Sequence, residues 1–278
     1  MRSHSQCQPP GCASLEVEFV SGRSTVTAAY SSSPLKLLTP RSRGQSVWAC
    51  TSSFGGGLVA GDKTRLDLRV GAGARCFVGT QSSTKVYRNP AGEPCGHATR
   101  AVVAADSLLV FAPDAVQPFA ASAFTQRQEF HLAQGAGLVL LDWFTAGRTM
   151  RGERWLFDHF QTRNEVFVGD ERVLLDSLHL DSANGSLASA HRVGHFNCFS
   201  TLFLVGAPLQ AAASQTLGDI ASRPVVHGAS LICSASPVSD GVILRVAGRS
   251  LEAVGSELRA HLRLVCSLLG DDPFARKW

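Results

Sequence analysis

Charge is scarce in this chain. Asp, Glu, Lys and Arg together make up 17% of its 278 residues, where about a quarter is usual for a soluble domain, so long solvated helical faces are not expected. The net charge is only +4 and no block of Lys or Arg is interleaved with aromatics, which removes the electrostatic footprint of a nucleic-acid binder. Long hydrophobic runs are missing too. No stretch of 18 apolar residues occurs, and the N-terminal MRSHSQCQPPGC has no apolar segment of the kind a secretory leader needs, so neither membrane insertion nor export is expected and a cytoplasmic location is. The eight cysteines never fall as C-x-x-C and show no zinc-type spacing, which argues for small core residues over ligands or bridges. Catalytic signatures are absent as well: there is no G-x-S-x-G, no H-E-x-x-H, and the nine histidines stand singly apart from His191 and His195. An i, i+4 His pair serves a metal on a helix, whereas Arg192-Val193-Gly194 reads as strand and turn. An enzyme is not expected from this inventory.

Glycine and apolar side chains are what the chain has in quantity. Its 26 Gly and 45% hydrophobic content suit short strands joined by tight turns, and at this length roughly three quarters of the unfolded surface can be buried in one domain. Residues 1–13 are polar and carry prolines, and are expected to be disordered, with a single β-rich domain over 14–278. The most specific stretch is 55–88, GGGLVAGDKTRLDLRVGAGARCFVGTQSSTKVYR. Gly55, Gly56, Gly57 and Gly61 predict sharp bends about Leu58 and Val59. Leu66, Leu68 and Val70 alternate with Arg65, Asp67 and Arg69, the period of a half-buried strand. A second strand through Cys76, Phe77 and Val78 runs into Thr80-Gln81-Ser82-Ser83-Thr84-Lys85, too polar for a dry core. Gly56-x4-Gly61 approaches a phosphate-binding loop, but Asp62 stands where that motif needs Lys, and the stretch leads into a strand instead of a helix.

Four times an alternating strand reaches a small or polar turn and restarts apolar: LDLRV-GAGA-RCFVG, RAVV-AADS-LLVFA, EFHL-AQGA-GLVLLDW and EVFV-GDE-RVLLDSL. These turns begin at Gly71, Ala104, Ala133 and Gly169, spacings of 33, 29 and 36 residues. Such a repeat predicts stacked β layers in which each unit covers its neighbour; an ordinary sandwich with evenly spaced hairpins accounts equally well for the spacing alone. Further strands are read at 190–193, 201–205, 225–235 and 241–246. Helices come late. Ser250 is placed to cap one that carries Leu251, Val254, Leu258, Leu262, Val265 and Leu269 on a single stripe, and 209–220 reads as another, interrupted at Gly218.

Four carboxylates occupy unusual settings: Asp62 among glycines, Asp142 within the apolar run 138–144, Glu153 closing Arg-Gly-Glu, and Asp176 interrupting 173–178. A carboxylate buried alone is expensive, so each needs a cation, a hydrogen-bond donor or water. Arg148, Arg151 and Lys85 are candidate partners in a set of internal ion pairs; the alternative is that some of the carboxylates line a hydrated passage between layers.

The segments G-G-x-x-x-G-D, G-A-x-A and T-Q-S-S-T-K-V-Y-R of 55–88, together with Trp143-Phe144-Thr145-Ala146-Gly147-Arg148-Thr149-Met150-Arg151-Gly152-Glu153, resemble the urease accessory protein family UreD/UreH over most of 30–270. The resemblance implies a mainly β fold of stacked, solenoid- or superhelix-like layers with about two α-helices toward the C-terminal part. It implies a non-enzymatic urease maturation factor that binds accessory proteins F and G and apo-urease, with no permanently bound cofactor and nickel only in transit through an internal passage. On the family pattern Asp62 belongs to that metal path, with Glu153 and Asp142 as secondary candidates, and Thr80, Gln81, Ser82, Ser83 and Lys85 build the wall. Two other readings stand beside it. One is a β-solenoid hydrolase using two inward carboxylates as acid and base, for which two Tyr and four Trp supply few glycan platforms. The other is a purely structural interaction module with no metal route.

Overall fold

Alternation of apolar and polar residues becomes strand throughout this chain, and tight turns stack the strands. The computed structural model describes residues 9–275. In chain order the strands are β1 (Cys12–Val20), β2 (Arg23–Ser31), β3 (Leu35–Leu38), β4 (Val47–Ser53), β5 (Gly57–Leu58), β6 (Lys63–Val70), β7 (Arg75–Thr80), β8 (Lys85–Val86) and β9 (Cys95–Val103). They continue with β10 (Leu108–Phe111), β11 (Gln117–Pro118), β12 (Ala123–Leu132), β13 (Gly137–Thr145), β14 (His159–Val168), β15 (Glu171–Asp181), β16 (Cys198–Val205), β17 (Leu231–Val238) and β18 (Gly241–Gly248). The helices are α1 (Gln210–Ala221), α2 (Leu251–Leu262) and α3 (Leu264–Leu269).

Three sheets result, ordered β15-β14-β12-β9-β6-β1-β2, β17-β18-β16-β13-β10-β7-β4-β3 and β11-β8-β5. Strands β6, β9, β12 and β14 run parallel, as do β4, β7, β10 and β13 and β5, β8 and β11. The chain therefore winds as a β-solenoid, with β4-β5-β6, β7-β8-β9 and β10-β11-β12 as successive coils that each visit all three sheets. Paired positions Lys63/Gly96, Gly96/Thr125 and Thr125/Gln161 lie 33, 29 and 36 residues apart, the same spacings as the turns. Stacked layers, not a sandwich, are what the repeat encodes.

The same turn recurs in each coil. Ala74, Ser107 and Ala136 donate backbone N–H groups to the carbonyls of Gly71, Ala104 and Ala133 at 3.1, 3.4 and 3.1 Å. The third residue of each turn is left-handed, Gly73 (φ 68°), Asp106 (φ 57°) and Gly135 (φ 80°), as such turns require. Successive turns are laced together by Ala104 N–H to Val70 O and Ala133 N–H to Val103 O, both 2.8 Å. The fourth turn departs from the pattern. Gly169-Asp170 joins β14 to an antiparallel neighbour, β15, in the same sheet, so the chain doubles back and closes the stack. Antiparallel β2 and β3 close the other end, and such caps protect a solenoid's open edges.

Several boundaries differ from the sequence reading. Strand pairing begins at Cys12, where Cys12 and Ala13 pair in parallel with Arg65 and Leu66 and Ala13 is fully buried, within the segment expected to be disordered; residues 1–8 of that segment lie outside the described residues. Residues 190–193 form turns bonded locally, such as Arg192 N–H to Ser189 O at 3.0 Å, and β17 starts only at Leu231. Helix α1 passes through Gly218 without a break. The Ser250 side chain does cap α2, accepting from Ala253 N–H at 3.2 Å, although the apolar stripe is divided between α2 and α3 at Arg263. The glycine-rich stretch leads into β6, as a phosphate loop would not.

Apolar layers lie on both sides of the eight-stranded sheet. Leu138 and Leu140 point between the sheets with Leu68, Val70 and Phe130, while Val139, Leu141 and Trp143 pack outward with Val254, Leu258 and Val265 of the helices.

Candidate functional site

Parallel register superposes equivalent inward positions, so the interior of the seven-stranded sheet is organised in rows. Leu68-Ala101-Phe130-Val166 and Val70-Val103-Leu132-Val168 are apolar throughout. The two rows nearer the start of these strands are polar instead, apart from Leu66: Thr64-His97-Gln126-Thr162 and Leu66-Thr99-Gln128-Asn164. Thr64, Thr99, Gln126, Gln128, Thr162 and Asn164 are all buried. Half of the solenoid's bore is thus apolar and half is lined by amides, hydroxyls and an imidazole.

Asp142 enters the polar half from β13 in the facing sheet and is 8% exposed. Its Oδ1 accepts from Gln126 Nε2 at 3.0 Å, and its Oδ2 accepts from Thr162 Oγ1 at 2.7 Å and Asn164 Nδ2 at 2.8 Å. Gln128 Nε2 donates to Asn164 Oδ1 at 2.8 Å, which fixes the Asn164 amide with its NH2 toward Asp142. All three donors are neutral. Burial pushes the Asp142 carboxyl up, the three hydrogen bonds from Asn164, Thr162 and Gln126 oppose that rise, and the nearby Asp176 charge adds to it. Three donors converging on two oxygens satisfy the ionised form, since a protonated carboxyl would need an acceptor of its own.

His97 completes the polar wall. Its Nδ1 lies 2.8 Å from Thr64 Oγ1 and its Nε2 3.1 Å from Thr99 Oγ1. Burial lowers its pKa to about 4, which leaves the ring neutral at physiological pH with one nitrogen lone pair. Cys95, two residues before it, is pushed up to about 11 by burial first and stays a thiol.

These side chains surround a cavity of about 80 Å³ whose wall includes Thr64, His97, Gln126, Gln128 and Asp142. At about 10–15 Å³ per water it has room for several waters. A groove of about 660 Å³ shares the wall residues Ser82, Ser83, Asp114 and Trp143 with the cavity. A second groove of about 480 Å³ shares Asp142 with it. Asp142 therefore stands in the partition between the interior and one outer groove.

The structure brings together some of the residues singled out from sequence and separates others. Thr80, Ser82 and Ser83 line the cavity with Asp142; Thr80 Oγ1 donates to Asp114 Oδ2 at 2.9 Å and accepts Asp114 N–H at 2.8 Å. Gln81 lines the larger groove. Lys85 is exposed on β8, where its carbonyl abuts Gly57. Asp62 sits at the turn before β6, its Oδ2 accepting Val59 N–H at 2.9 Å, and does not line the cavity that Thr80, Ser82 and Ser83 line. Glu153 is bound by Arg148, Nε to Oε2 at 2.8 Å with a second contact from Nη2, and accepts Ala120 N–H at 3.2 Å. The Arg148 hydrogen bond holds its carboxyl below the usual range. Asp176 pairs with Arg245 at 2.8 Å. Of the proposed cation partners, then, Arg148 takes Glu153, whereas Asp142 is satisfied by Gln126, Thr162 and Asn164. His97 and the two polar rows were missed by sequence reasoning. Adding 33, 29 and 36 to position 64 gives 97, 126 and 162, so laying the repeat over the inward positions would have found them.

Fold and site together define a capped β-solenoid whose bore is half apolar and half polar, with the buried Asp142 carboxylate held by neutral donors in the polar half. Residues 10–278 match the family described as UreD urease accessory protein. The Urease accessory protein UreD of Sorangium cellulosum is 45% identical over 270 residues, covering 96% of this chain and 84% of that protein. That of an Anaeromyxobacter species is 41% identical over 266 residues, covering 96% and 89%, and the Urease accessory protein D of Arabidopsis thaliana is 32% identical over 289 positions, covering 93% and 98%. The chain belongs to the UreD urease accessory protein family, which supports a role in urease maturation.

Proposed function

We propose that this chain is a non-catalytic maturation factor that binds accessory proteins F and G and apo-urease in the cytoplasm and passes nickel through its polar bore toward the urease active site. The observation that carries this reading is Asp142, a buried carboxylate held only by neutral donors, in the partition between the cavity and an outer groove. A passing divalent ion supplies the countercharge that the protein leaves out. The ligands along the way are one carboxylate, a neutral imidazole, hydroxyls, amides and water. Such oxygen-rich sets hold a divalent transition ion less firmly than thiolate or multi-histidine cages do, which suits handover. Asp62 and Glu153 are proposed as outer stations of the same path; at Glu153 the ion has to displace Arg148.

The hydrolase reading needs a second free carboxylate facing Asp142. Asp176 is tied to Arg245 and Asp114 to Thr80, so the geometry favours the scaffold. The test is maturation of urease in cells carrying the wild-type chain or Asp142→Ala. Urease nickel content is expected to fall by about tenfold, the scale seen when a metal's supporting residues are removed, while the variant still co-purifies with the maturation complex. Unchanged nickel content would remove the bore from the route and leave only the scaffold.

A further inference from the structure

On the outer face of the seven-stranded sheet, opposite the bore, β14 and β15 bring three metal-ligating side chains together. The register pairs His159 with Asp181 and Gln161 with His179, so both histidines and the aspartate stand on one face at the strand ends. His159 Nδ1 and His179 Nε2 are 3.2 Å apart. Asp181 Oδ2 lies 3.9 Å from the first and 3.8 Å from the second. The two rings are inclined at 63°, not stacked. One ion bound at about 2.0–2.1 Å to two imidazoles separates their nitrogens by roughly 2.9–3.4 Å for octahedral to tetrahedral angles, and the observed separation falls inside that span. The carboxylate oxygen is about half an ångström further out than the same geometry asks, a gap that a modest side-chain rotation closes.

Other contacts orient the ligands. Asp181 Oδ1 accepts Ala183 N–H at 2.8 Å, which turns Oδ2 toward the histidines. Arg192 opposes cation binding weakly, through Nη1 at 3.3 Å from the Asp181 carbonyl.

We propose that His159, His179 and Asp181 form a divalent transition-metal site on the outside of the solenoid. Two imidazoles and one carboxylate suit a borderline first-row ion such as Ni²⁺ or Zn²⁺ and leave coordination positions open to water. Because the His179 side chain is half exposed, the ion exchanges with solvent. The site does not depend on the proposed nickel route, since none of its three residues lines the bore cavity.

The test is calorimetric titration of the full chain with NiCl₂ and with ZnCl₂, comparing wild type with His179→Gln, Asp181→Asn and Asp142→Asn. His179→Gln changes an exposed ligand on an intact strand pair, so it keeps the fold. The expected result is one equivalent of ion fewer, or affinity at that equivalent reduced by about 10–100-fold, in His179→Gln and Asp181→Asn, with the equivalent that His179→Gln loses still bound in Asp142→Asn. X-ray absorption on the loaded wild type should show imidazole scattering that His179→Gln diminishes. Equal stoichiometry and affinity in wild type and His179→Gln, or an absorption spectrum without imidazole, would overturn the site. Loss in Asp142→Asn alone would assign the ion to the bore and equally overturn it.

Discussion

Asp142 is buried with both carboxylate oxygens held by neutral donors, and the proposed route rests on that one side chain. Asp142→Asn keeps the shape but puts an NH2 in place of one acceptor oxygen, where it faces either Gln126 Nε2 or the Thr162 and Asn164 donors, and Asn164 cannot flip because Gln128 holds its oxygen. A buried donor left without an acceptor costs about 1–3 kcal/mol, and a drop of that size in the denaturant midpoint of unfolding is the expected outcome. His97 makes a pH-dependent contribution. Its pKa is about 4 in the folded chain and 6.5 for the unperturbed group, so the unfolded chain takes up the proton first. The contribution is whole above pH 6.5 and is lost as the pH falls toward 4, at most about 1.4 kcal/mol per pH unit and less where cavity water solvates the ring. His97→Gln should flatten this limb of the stability–pH curve. The raised Asp142 carboxyl acts in the opposite sense: its contribution is full below the unfolded pKa and lost as the pH rises through the folded one. Asp142 was visible in the sequence as the one charge within 138–144. Its partners were not, because Gln126, Thr162 and Asn164 are ordinary surface residue types until the register turns them inward.

At the scale of strands and helices, the turns were the legible part. GAGA, AADS and AQGA carry the small or left-handed-tolerant residues that the coil corner needs, and the spacing between them equals the spacing of the ladder. GDE looked like a fourth corner and is a hairpin, a difference decided by which strand lies free to pair and not by local composition. The short third sheet was not legible at all, since two-residue strands leave no periodic trace. Gly57 shows what holds that sheet: a Cβ there would sit 2.5 Å from the Lys85 carbonyl and 2.7 Å from the Tyr87 ring. Gly57→Ala should therefore push β5 from β8 and destabilise the chain by about 1–3 kcal/mol, measurable by denaturant unfolding. At Ser250 the change to Ala should cost about 1 kcal/mol through the lost cap, read by the same method.

Over the whole molecule, the division of the bore is the feature that links fold to role. An entirely apolar interior would give a rigid stack and nothing more, whereas two largely polar rows beside the apolar ones leave a cavity with a partly polar wall inside the stack. Antiparallel strands close both ends, and the Arg245–Asp176 pair spans from β18 to β15 in the wall of the second groove, tying the two large sheets together beside Asp142. The most direct measurement is nickel transfer to apo-urease inside the assembled, purified maturation complex with excess EDTA outside. An internal lane predicts that transfer by the wild-type chain survives the chelator and that Asp142→Ala slows it by about tenfold. Transfer abolished by EDTA, together with an Asp142→Ala rate equal to wild type, would contradict it.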